Sequence, residues 1–303
     1  MRPVFEWQIG SRTLQLGKRT LIMGVVNVTP DSFSDGGLHL DPEAALAHAL
    51  QLVADGADII DIGGESTRPG AAVIASAGAS ASSSSGTKVA VTERAEMDRV
   101  IPVITSLKRN HSDVVISVDT YKAAVARAAV EAGAEIVNDV SGFRWDSRMA
   151  KTLAELKCGA VLMHMRGRPE EWRTLSPVAD IVTLVKRELR ERADAALMAG
   201  VKRDRIVLDP GFGFGKNHKE NYPLLKRFAE LHELRYPLMA GVSRKSFIGR
   251  ALARDGKDAG ISDRLYGTLA AETAAILKGA HVIRTHDVKA CADAVRIADI
   301  VVS

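Results

Sequence analysis

Short runs of aliphatic and β-branched residues alternate along the chain with longer segments in which apolar residues recur every three or four positions. The first pattern is typical of buried strands and the second of amphipathic helices, so the alternation predicts βαβ units and a parallel sheet. Eight strands are predicted, at residues 21–28, 58–62, 114–118, 135–139, 160–164, 205–209, 237–242 and 281–284. Helices are predicted between them, among others at residues 42–56, 122–131, 178–199 and 268–278.

Several element ends carry signals of their own. Asp41 is suited to the N-cap of the first helix and Pro42 to its first turn. Thr92 has no acidic partner three residues further on to complete a capping box, which leaves the start of the second helix open by one turn. Residues 5–9 and 13–17 show a hairpin pattern, and we expect this hairpin to close the bottom of a barrel.

Every predicted strand runs into polar residues or glycines at its carboxyl end. In a closed parallel barrel these ends converge on one face, where the active sites of such barrels lie. An open doubly wound sheet would instead carry a glycine-rich dinucleotide motif after its first strand, and none is present. The sequence therefore predicts an α/β fold, a single (β/α)8 TIM barrel domain over residues 1–303. The residues at the strand ends are Asn27, Gly63-Gly64-Glu65, Asp119, Asn138-Asp139, His164, Asp209, Ser243, Arg284 and His286.

One segment interrupts the alternation. Residues 71–87 contain six alanines, six serines and two glycines, too little apolar surface to offset the entropy of ordering. We therefore predict a flexible insertion, a long Ser/Ala-rich loop between the second strand and the second helix.

The composition is that of an ordinary globular protein, with 46% hydrophobic and 26% charged residues among 303. The formal net charge is only +4, and the basic pairs at 186–187 and 226–227 lie among acids in helical patterns, which argues against a nucleic-acid partner. The two cysteines, Cys158 and Cys291, fit no metal-ligand spacing and are expected to be reduced thiols. The sequence shows neither a run of eighteen apolar residues nor a signal-peptide pattern, so we expect a cytoplasmic protein with no membrane partner.

Two of five conspicuous motifs follow the first and second strands. NVTPDSFSDGG at 27–37 is long for a connection to a helix that starts near Pro42, so it is either an ordinary turn or a loop that folds over a ligand. In GGESTRPG at 63–70, Arg68 is stiffened by Pro69 and can bind an anion or form a surface salt bridge.

The other three motifs follow the last three strands. LDPGFGFGK at 208–216 is not a phosphate-binding P-loop, because Pro210 and Asn217 stand where glycine and serine or threonine are needed. Asp209 is placed instead to accept two parallel hydrogen bonds from a planar ligand. GVSRKSFIG at 241–249 and IRTHD at 283–287 put cations where barrels often bind phosphate. Arg284 and His286 share a face of their strand, although Arg284 could also pair with an acid below the site.

These five motifs, with SVDT at 117–120, IVND at 136–139 and LMHM at 162–165, occur in the order found in dihydropteroate synthases, and the chain resembles that family over nearly its whole length. The combination of NVTPDSFSDGG, ESTRPGA and SRKS is highly specific for it. The insertion at 71–87 is the one clear departure. The resemblance implies condensation of 6-hydroxymethyl-7,8-dihydropterin diphosphate with p-aminobenzoate in folate biosynthesis, Mg²⁺ as cofactor, sulfonamides as inhibitors, and a homodimer.

The resemblance also implies the residues of the site. The implied pterin-binding residues are Asp119, Asn138, Met163, Asp209, Phe214 and Lys245. The implied p-aminobenzoate-binding residues are Phe33, Thr67, Arg68, Pro69 and Ser243. Asn27, Arg284 and His286 would bind pyrophosphate, with Asn27 also a ligand of Mg²⁺, which prefers oxygen donors and substrate phosphates. The implied catalytic residues are Asp35, Lys245, Arg284 and His286.

In this family the bond to pyrophosphate breaks first, an SN1-like route that leaves a pterin-methyl cation. An aryl amine needs no general base to attack such a cation, which agrees with the absence of a nucleophile–base pair from the motifs. The expected task of the protein is electrostatic, with Asp35 facing the cation and Phe33 beside the aminobenzoate ring. Glu65, Asp61 and Asp139 have no assigned role, and a structural one is expected.

Two alternatives remain open. A pterin-dependent methyltransferase barrel shares the pterin residues but needs neither SRKS nor the NVTPDSF loop. A non-catalytic pterin-binding paralogue would be expected to have lost site residues, whereas all are present. The insertion is either a passive spacer or a segment that changes the relative affinities for sulfonamide and p-aminobenzoate.

Overall fold

The computed structural model describes residues 2–29, 42–65 and 91–302. A two-stranded antiparallel hairpin, β1 (Phe5–Ile9) and β2 (Arg12–Leu16), precedes a barrel of parallel strands surrounded by helices. The barrel strands are β3 (Leu21–Asn27), β4 (Ile59–Gly63), β5 (Val115–Asp119), β6 (Ile136–Asp139), β7 (Gly159–Met163), β8 (Ile206–Asp209), β9 (Met239–Ala240) and β10 (Val282–Thr285). The helices are α1 (Pro42–Ala54), α2 (Glu93–Asn110), α3 (Ala123–Glu131), α4 (Met149–Leu156), α5 (Ile181–Met198), α6 (His218–Lys226), α7 (Ser246–Ala251), α8 (Leu265–Leu277) and α9 (Val288–Val302).

Neighbouring barrel strands pair in parallel in the order β8-β7-β6-β5-β4-β3-β10-β9. A parallel bridge between Leu208 of β8 and Leu238, just before β9, joins the two ends of this sheet and closes the barrel. The predicted TIM barrel and its eight strands are confirmed, and seven strands end within one residue of their predicted limits. The strand predicted at 237–242 keeps only Met239–Ala240, and its late start is explained by Pro237, which has no N–H to contribute to the ladder.

Helix starts follow the capping side chains. The Thr92 hydroxyl accepts a hydrogen bond from the Ala95 N–H at 3.1 Å, so α2 begins at Glu93. The Asp180 carboxylate accepts the N–H groups of Val182 and Thr183, which starts α5 three residues later than predicted. Helix α1 begins at Pro42 as predicted, whereas the N-cap prediction for Asp41 lies outside the described residues.

The main apolar core lies between the strands and the helices, where outward-facing aliphatic residues such as Ile60, Ile62 and Ile116 are fully buried. Strands of a parallel barrel are covered on both faces, which explains their nearly continuous apolar sequences. Both cysteines are buried free thiols, as predicted.

The hairpin closes the lower end of the barrel, as the sequence predicted. Trp7, Ile9 and Leu16 are fully buried and pack against the first inward-facing residues of the strands, among them Met23 and Ile59. The Trp7 indole donates a hydrogen bond to the Arg205 carbonyl oxygen at 2.9 Å, so its one polar group is satisfied. We call this cluster of hairpin and strand residues the plug.

Polar residues replace apolar ones in the next layer up. Side chains of a strand alternate in direction, so the residues two positions beyond the plug also point into the barrel. This relation links Ile59 to Asp61 on β4, and Val207 to Asp209 on β8. The same relation gives Val25, Ser117, Asn138, Met163, Gly241 and Arg284, and Asp119 lies two residues beyond Ser117 on the same face of β5. The barrel is therefore apolar at its base and polar at its carboxyl end.

The basic pairs lie on helix surfaces among acids, as the composition indicated. Lys186 on α5 pairs with Glu233 at 2.8 Å, and Arg227 pairs with Asp180 and Glu230 at 2.9 and 2.7 Å. Across the three described ranges, none of the helices is both long enough and apolar enough to span a membrane.

Candidate active site

Two adjoining cavities open at the carboxyl end of the barrel and share several walls. The smaller cavity, of about 50 Å³, reaches into the barrel, and the larger one, of about 270 Å³, lies toward the β10 and β3 side. The smaller cavity is lined by Asp119, Asn138, Val140, Met163, Asp209, Phe214, Gly241, Ser243, Lys245, Arg284 and His286. The larger cavity is lined by Val25, Asn27, Glu65, Asp119, Trp172, Gly213, Phe214, Ser243, Arg244, Lys245, Ser246, Ile261, Arg264, Arg284 and His286. Every described site residue that the sequence predicted therefore lines one cavity or both.

Asp209 provides a buried carboxylate acceptor in the smaller cavity, with 4% of its surface exposed. One carboxylate oxygen accepts the Gly211 N–H at 2.7 Å, and burial raises the pKa of the group although Lys245 opposes the shift. Gly211 has φ of 64°, and a Cβ there would collide with the carbonyl oxygen of His164. The tight turn after β8 therefore requires glycine and aims the acid into the cavity.

Arg284 of β10 joins the acids of two other strands, β4 and β5. Its Nε donates to Asp61 Oδ2 and its Nη2 to Asp119 Oδ2, both at 2.7 Å. Asp61 Oδ2 also accepts the side-chain N–H of Asn138 at 3.0 Å. Arg284 therefore pairs with buried acids, as one of the two hypotheses from the sequence stated. The same side chain also lines both cavities, as the other hypothesis stated. Burial raises the pKa of Asp119 to about 7 against the opposing charge of Arg284.

Lys245 stands between the two cavities. Its ammonium donates to the Phe212 carbonyl oxygen and lies 4.0 Å from the centre of the Phe214 ring. Burial lowers the pKa of Lys245 to about 7, although Asp209 and Asp119 oppose the shift. A lysine so placed can bind a ring heteroatom on one side and an anion or amine on the other.

Ser243 and His286 form a polar pair on the shared wall. The His286 backbone N–H donates to Ser243 Oγ at 3.1 Å, and the Nδ1 ring atom lies 3.0 Å from the same oxygen. The Thr285 hydroxyl lies 3.4 Å from that oxygen, behind the pair. This contact fixes the imidazole ring beside Arg284, so two nitrogen-bearing groups face the larger cavity.

Asn27, at the end of β3, is half-buried and lines the larger cavity together with Arg284 and His286. Its amide oxygen is the kind of donor that Mg²⁺ accepts when substrate phosphates complete the coordination. Among the described residues, no three His, Cys, Asp or Glu side chains are grouped as a metal site. The five predicted residues Phe33, Asp35, Thr67, Arg68 and Pro69 lie outside the described residues, as does the insertion at 71–87.

Two strand-end residues do not lie at the mouth, contrary to expectation. His164 follows the inward-facing Met163 and therefore points outward, where it is fully buried 3.2 Å from Glu188 of α5. Burial lowers the pKa of this histidine well below its usual range. Asp139 likewise follows Asn138 and accepts the N–H groups of Ser141 and Phe143, so it shapes the next loop.

Other side chains belong to the site or its surroundings although no role in the site was predicted for them. Asp61 is fully buried against Arg284, as its position two residues beyond Ile59 of the plug could have indicated. Glu65 lines the larger cavity and, with Glu96, is bound by the buried ammonium of Lys122. No sequence pattern signals this triad, because its members come from three separate segments.

Lys216 confirms that the glycine-rich segment after β8 is not a phosphate-binding loop. It is 6% exposed, and its ammonium donates to the carbonyl oxygens of Gly211, Phe214 and His164. Burial lowers its pKa well below the usual range. The lysine thus fastens the loop that carries Asp209 and Phe214.

The fold and the site together define a TIM-barrel enzyme with a polar pocket for a planar ligand beside a cationic cavity. The sequence profile described as "Pterin binding enzyme" matches residues 23–286. Dihydropteroate synthase of Clostridium beijerinckii is 40% identical over 296 residues, which cover 97% of this chain and 99% of that protein. The Escherichia coli dihydropteroate synthase is 42% identical over 282 residues, 93% of this chain and 92% of that protein. The chain therefore belongs to the dihydropteroate synthase family of pterin-binding enzymes.

Solved structures agree with this assignment. Xanthomonas albilineans dihydropteroate synthase with 4-aminobenzoic acid superposes with a TM-score of 0.85 and 42% identity over 99% of each chain. The same enzyme in complex with 7,8-dihydropteroate has a TM-score of 0.82 and 40% identity, covering 98% of this chain and 99% of that one.

Proposed function

We propose that this chain joins 6-hydroxymethyl-7,8-dihydropterin diphosphate to p-aminobenzoate, releasing pyrophosphate and forming 7,8-dihydropteroate for folate biosynthesis. The observation that carries this proposal is the pairing of two cavities across one wall. One holds buried acceptors for a heterocycle, and the other gathers Arg284, His286 and Ser243 for anionic groups. A transferase that joins two substrates needs two such compartments with a common boundary.

The smaller cavity suits the pterin ring. Asp209 can accept two N–H groups of the ring edge, and Asn138 offers an amide beside it. Met163, which is 3% exposed, and the ring of Phe214 supply apolar surfaces for its faces. Lys245, between the cavities, would bond the pterin ring near the reacting methylene carbon.

The larger cavity suits the departing pyrophosphate and the second substrate. Arg284 and His286 can bind phosphate oxygens, and the Ser243 hydroxyl can donate to the aminobenzoate carboxylate. Asn27 would hold Mg²⁺ together with the diphosphate, and a bound ion would neutralise the negative charge that develops there. Phe33, Asp35, Thr67, Arg68 and Pro69 complete the aminobenzoate side by resemblance to the family.

We propose an SN1-like route by resemblance to the family, in which an aryl amine attacks a pterin-methyl cation and needs no general base. The C–O bond to the diphosphate breaks first, and its electron pair leaves with pyrophosphate beside Arg284 and His286. The amine nitrogen then bonds to the methylene carbon and loses one proton. The contribution of the protein is to stabilise charge in a site that excludes water.

The test is incubation of the purified chain with the pterin diphosphate, Mg²⁺ and p-aminobenzoate, followed by measurement of dihydropteroate and pyrophosphate. Equal amounts of dihydropteroate and pyrophosphate are expected, and dihydropteroate should not form without p-aminobenzoate. Binding without turnover would instead indicate a pterin-binding paralogue. Transfer of a methyl group to a corrinoid protein would indicate the methyltransferase alternative.

Finer properties are proposed on the same basis. We expect a cytoplasmic homodimer that sulfonamides inhibit in competition with p-aminobenzoate, because those compounds resemble that substrate. We also propose that the insertion changes the ratio between sulfonamide Ki and aminobenzoate KM. Deletion of residues 73–86 tests this, and a ratio that stays within about twofold would leave the insertion a passive spacer.

A further inference from the structure

A separate apolar cluster lies above the barrel mouth on the β5 to β8 side. Tyr121, Val140, Met163 and Met165 are buried in it, and Trp145, Trp172 and Phe214 are partly buried against them. We call these seven residues the rim cluster. It is distinct from both the main core and the plug, and it is the only apolar cluster among the described residues that reaches the two cavities.

Within the rim cluster, Trp172 is held in one orientation. It lies in the connection between β7 and α5, and its indole N–H donates to the Arg166 carbonyl oxygen at 2.9 Å. Arg166 is fixed in turn, because its guanidinium donates to the Ser176 carbonyl oxygen at 2.8 Å and contacts Glu220 at 3.3 Å. The Trp172 ring meets the Phe214 ring edge to face, with centroids 5.4 Å apart and an angle of 85°.

The two rings differ in the cavities that they line. Phe214 lines both, whereas Trp172 lines only the larger one and remains half-buried. A tryptophan whose single donor is already satisfied presents only its apolar body to that space. A rigid aromatic surface of this kind binds another aromatic ring at little cost in conformational entropy.

We propose that Trp172 is a further binding residue for the aromatic amine substrate, extending the Phe214 wall into the larger cavity. The inference rests on the proposed function, which places p-aminobenzoate in that cavity. The substrate ring would pack along Phe214 and Trp172 while its carboxylate reaches Ser243. The pterin ring would contact Phe214 but not Trp172.

The test is a comparison of Trp172→Ala with Trp145→Ala by steady-state kinetics. Trp145 is the matched control, because it belongs to the same cluster, meets Tyr121 edge to face at 4.8 Å and lines neither cavity. We expect Trp172→Ala to raise the aminobenzoate KM about tenfold, the effect of losing one aromatic contact, with a pterin diphosphate KM within about twofold. Trp172→Phe should recover most of the difference, and Trp145→Ala should change both KM values little.

Two results would overturn the assignment. An equal rise in both KM values for Trp172→Ala would mean that the ring only supports Phe214. Equal aminobenzoate effects in the two alanine variants would mean a general loss of packing in the rim cluster. Failure of the proposed function is distinguishable, because the unmodified chain would then form no dihydropteroate before any variant is compared.

Discussion

At the scale of single residues, the chemistry of the barrel mouth depends on charged groups held where little water reaches them. Lys245 and Arg284 line both cavities and Asp209 lines the smaller one, and burial raises the pKa of Asp209 and lowers the pKa of Lys245, which favours the neutral form of each. Such groups are costly to bury unless a ligand or a partner compensates them. Substitutions there should therefore affect ligand affinity more than substitutions of exposed charges.

Asp209→Asn should greatly weaken pterin binding. The amide can accept only one of the two hydrogen bonds and presents a donor to a ligand donor, a mismatch that costs about 1–3 kcal/mol when buried. Calorimetry with a pterin lacking the diphosphate measures this directly. Asp194→Asn, on the exposed face of α5, is the control and should bind as the unmodified chain does. Unchanged affinity in Asp209→Asn would remove this residue from the pterin site.

Arg284→Ala should act mainly on the diphosphate. Free pyrophosphate and pterin diphosphate should bind more weakly, because a cation of the larger cavity is lost. A pterin without the diphosphate should bind nearly as before, although Asp61 and Asp119 lose their partner. Calorimetry with the three ligands separates the cases. Equal losses for all of them would show that Arg284 serves only to hold the two acids.

Glu272 on α8 should make stability depend on pH. Its carboxyl is fully buried, and burial raises its pKa from 4.5 to about 7 although Thr285 and Cys291 oppose the shift. The folded chain therefore retains a proton that the unfolded chain releases, so this contribution is present below pH 4.5 and is lost as the pH rises to 7. Relative to the unmodified chain, Glu272→Gln should gain up to about 3 kcal/mol between pH 5 and 8.

Urea unfolding at several pH values measures this difference. The exposed Glu170→Gln serves as control and should leave the pH profile unchanged. A profile for Glu272→Gln that runs parallel to that of the unmodified chain would show that the buried carboxyl is not the source.

At the scale of elements, the strands were predictable because each is short, apolar and followed by polar residues. Their limits moved by one residue where the ladder ends, and by more at Pro237, whose effect on pairing depends on a neighbour that the sequence does not identify. The starts of α2 and α5 depend on the Thr92 and Asp180 side chains. Neither residue forms a capping box, because neither is followed three positions later by an acid, so the capping-box pattern marks neither start.

The hairpin is the element whose removal should cost most for its size. Trp7 is fully buried in the plug and has no other residue to replace its volume, so Trp7→Ala should lower the free energy of unfolding by about 3–5 kcal/mol. Val4→Ala is the control, because Val4 is 57% exposed just before the hairpin and should change stability by less than about 0.5 kcal/mol. Urea denaturation of both variants tests this prediction. Similar losses in the free energy of unfolding would contradict the stabilising role of Trp7 in the plug.

At the scale of the whole molecule, the sequence predicted that the carboxyl ends of the strands meet at one end of the barrel. It did not predict for every residue whether the side chain points into the barrel or outward. The alternation of strand residues separates Met163 from His164 and Asn138 from Asp139, yet a shift of one residue in the strand limits reverses that assignment. His164 was misplaced for this reason. Asp61 lacked a role because its partner Arg284 lies 223 residues away, and only the closed barrel brings the two together.

The plug also has a consequence for the order in which the substrates bind. Because the plug closes the base of the barrel, substrates enter from the carboxyl end. The smaller cavity lies farther from that entrance than the larger one. A molecule in the outer compartment would obstruct passage to the inner one. The pterin diphosphate should therefore enter first and the aminobenzoate second, a compulsory order that initial-rate and product-inhibition patterns would reveal. An excess of aminobenzoate should inhibit the reaction, because aminobenzoate bound in the larger cavity of the free enzyme would block entry of the pterin diphosphate.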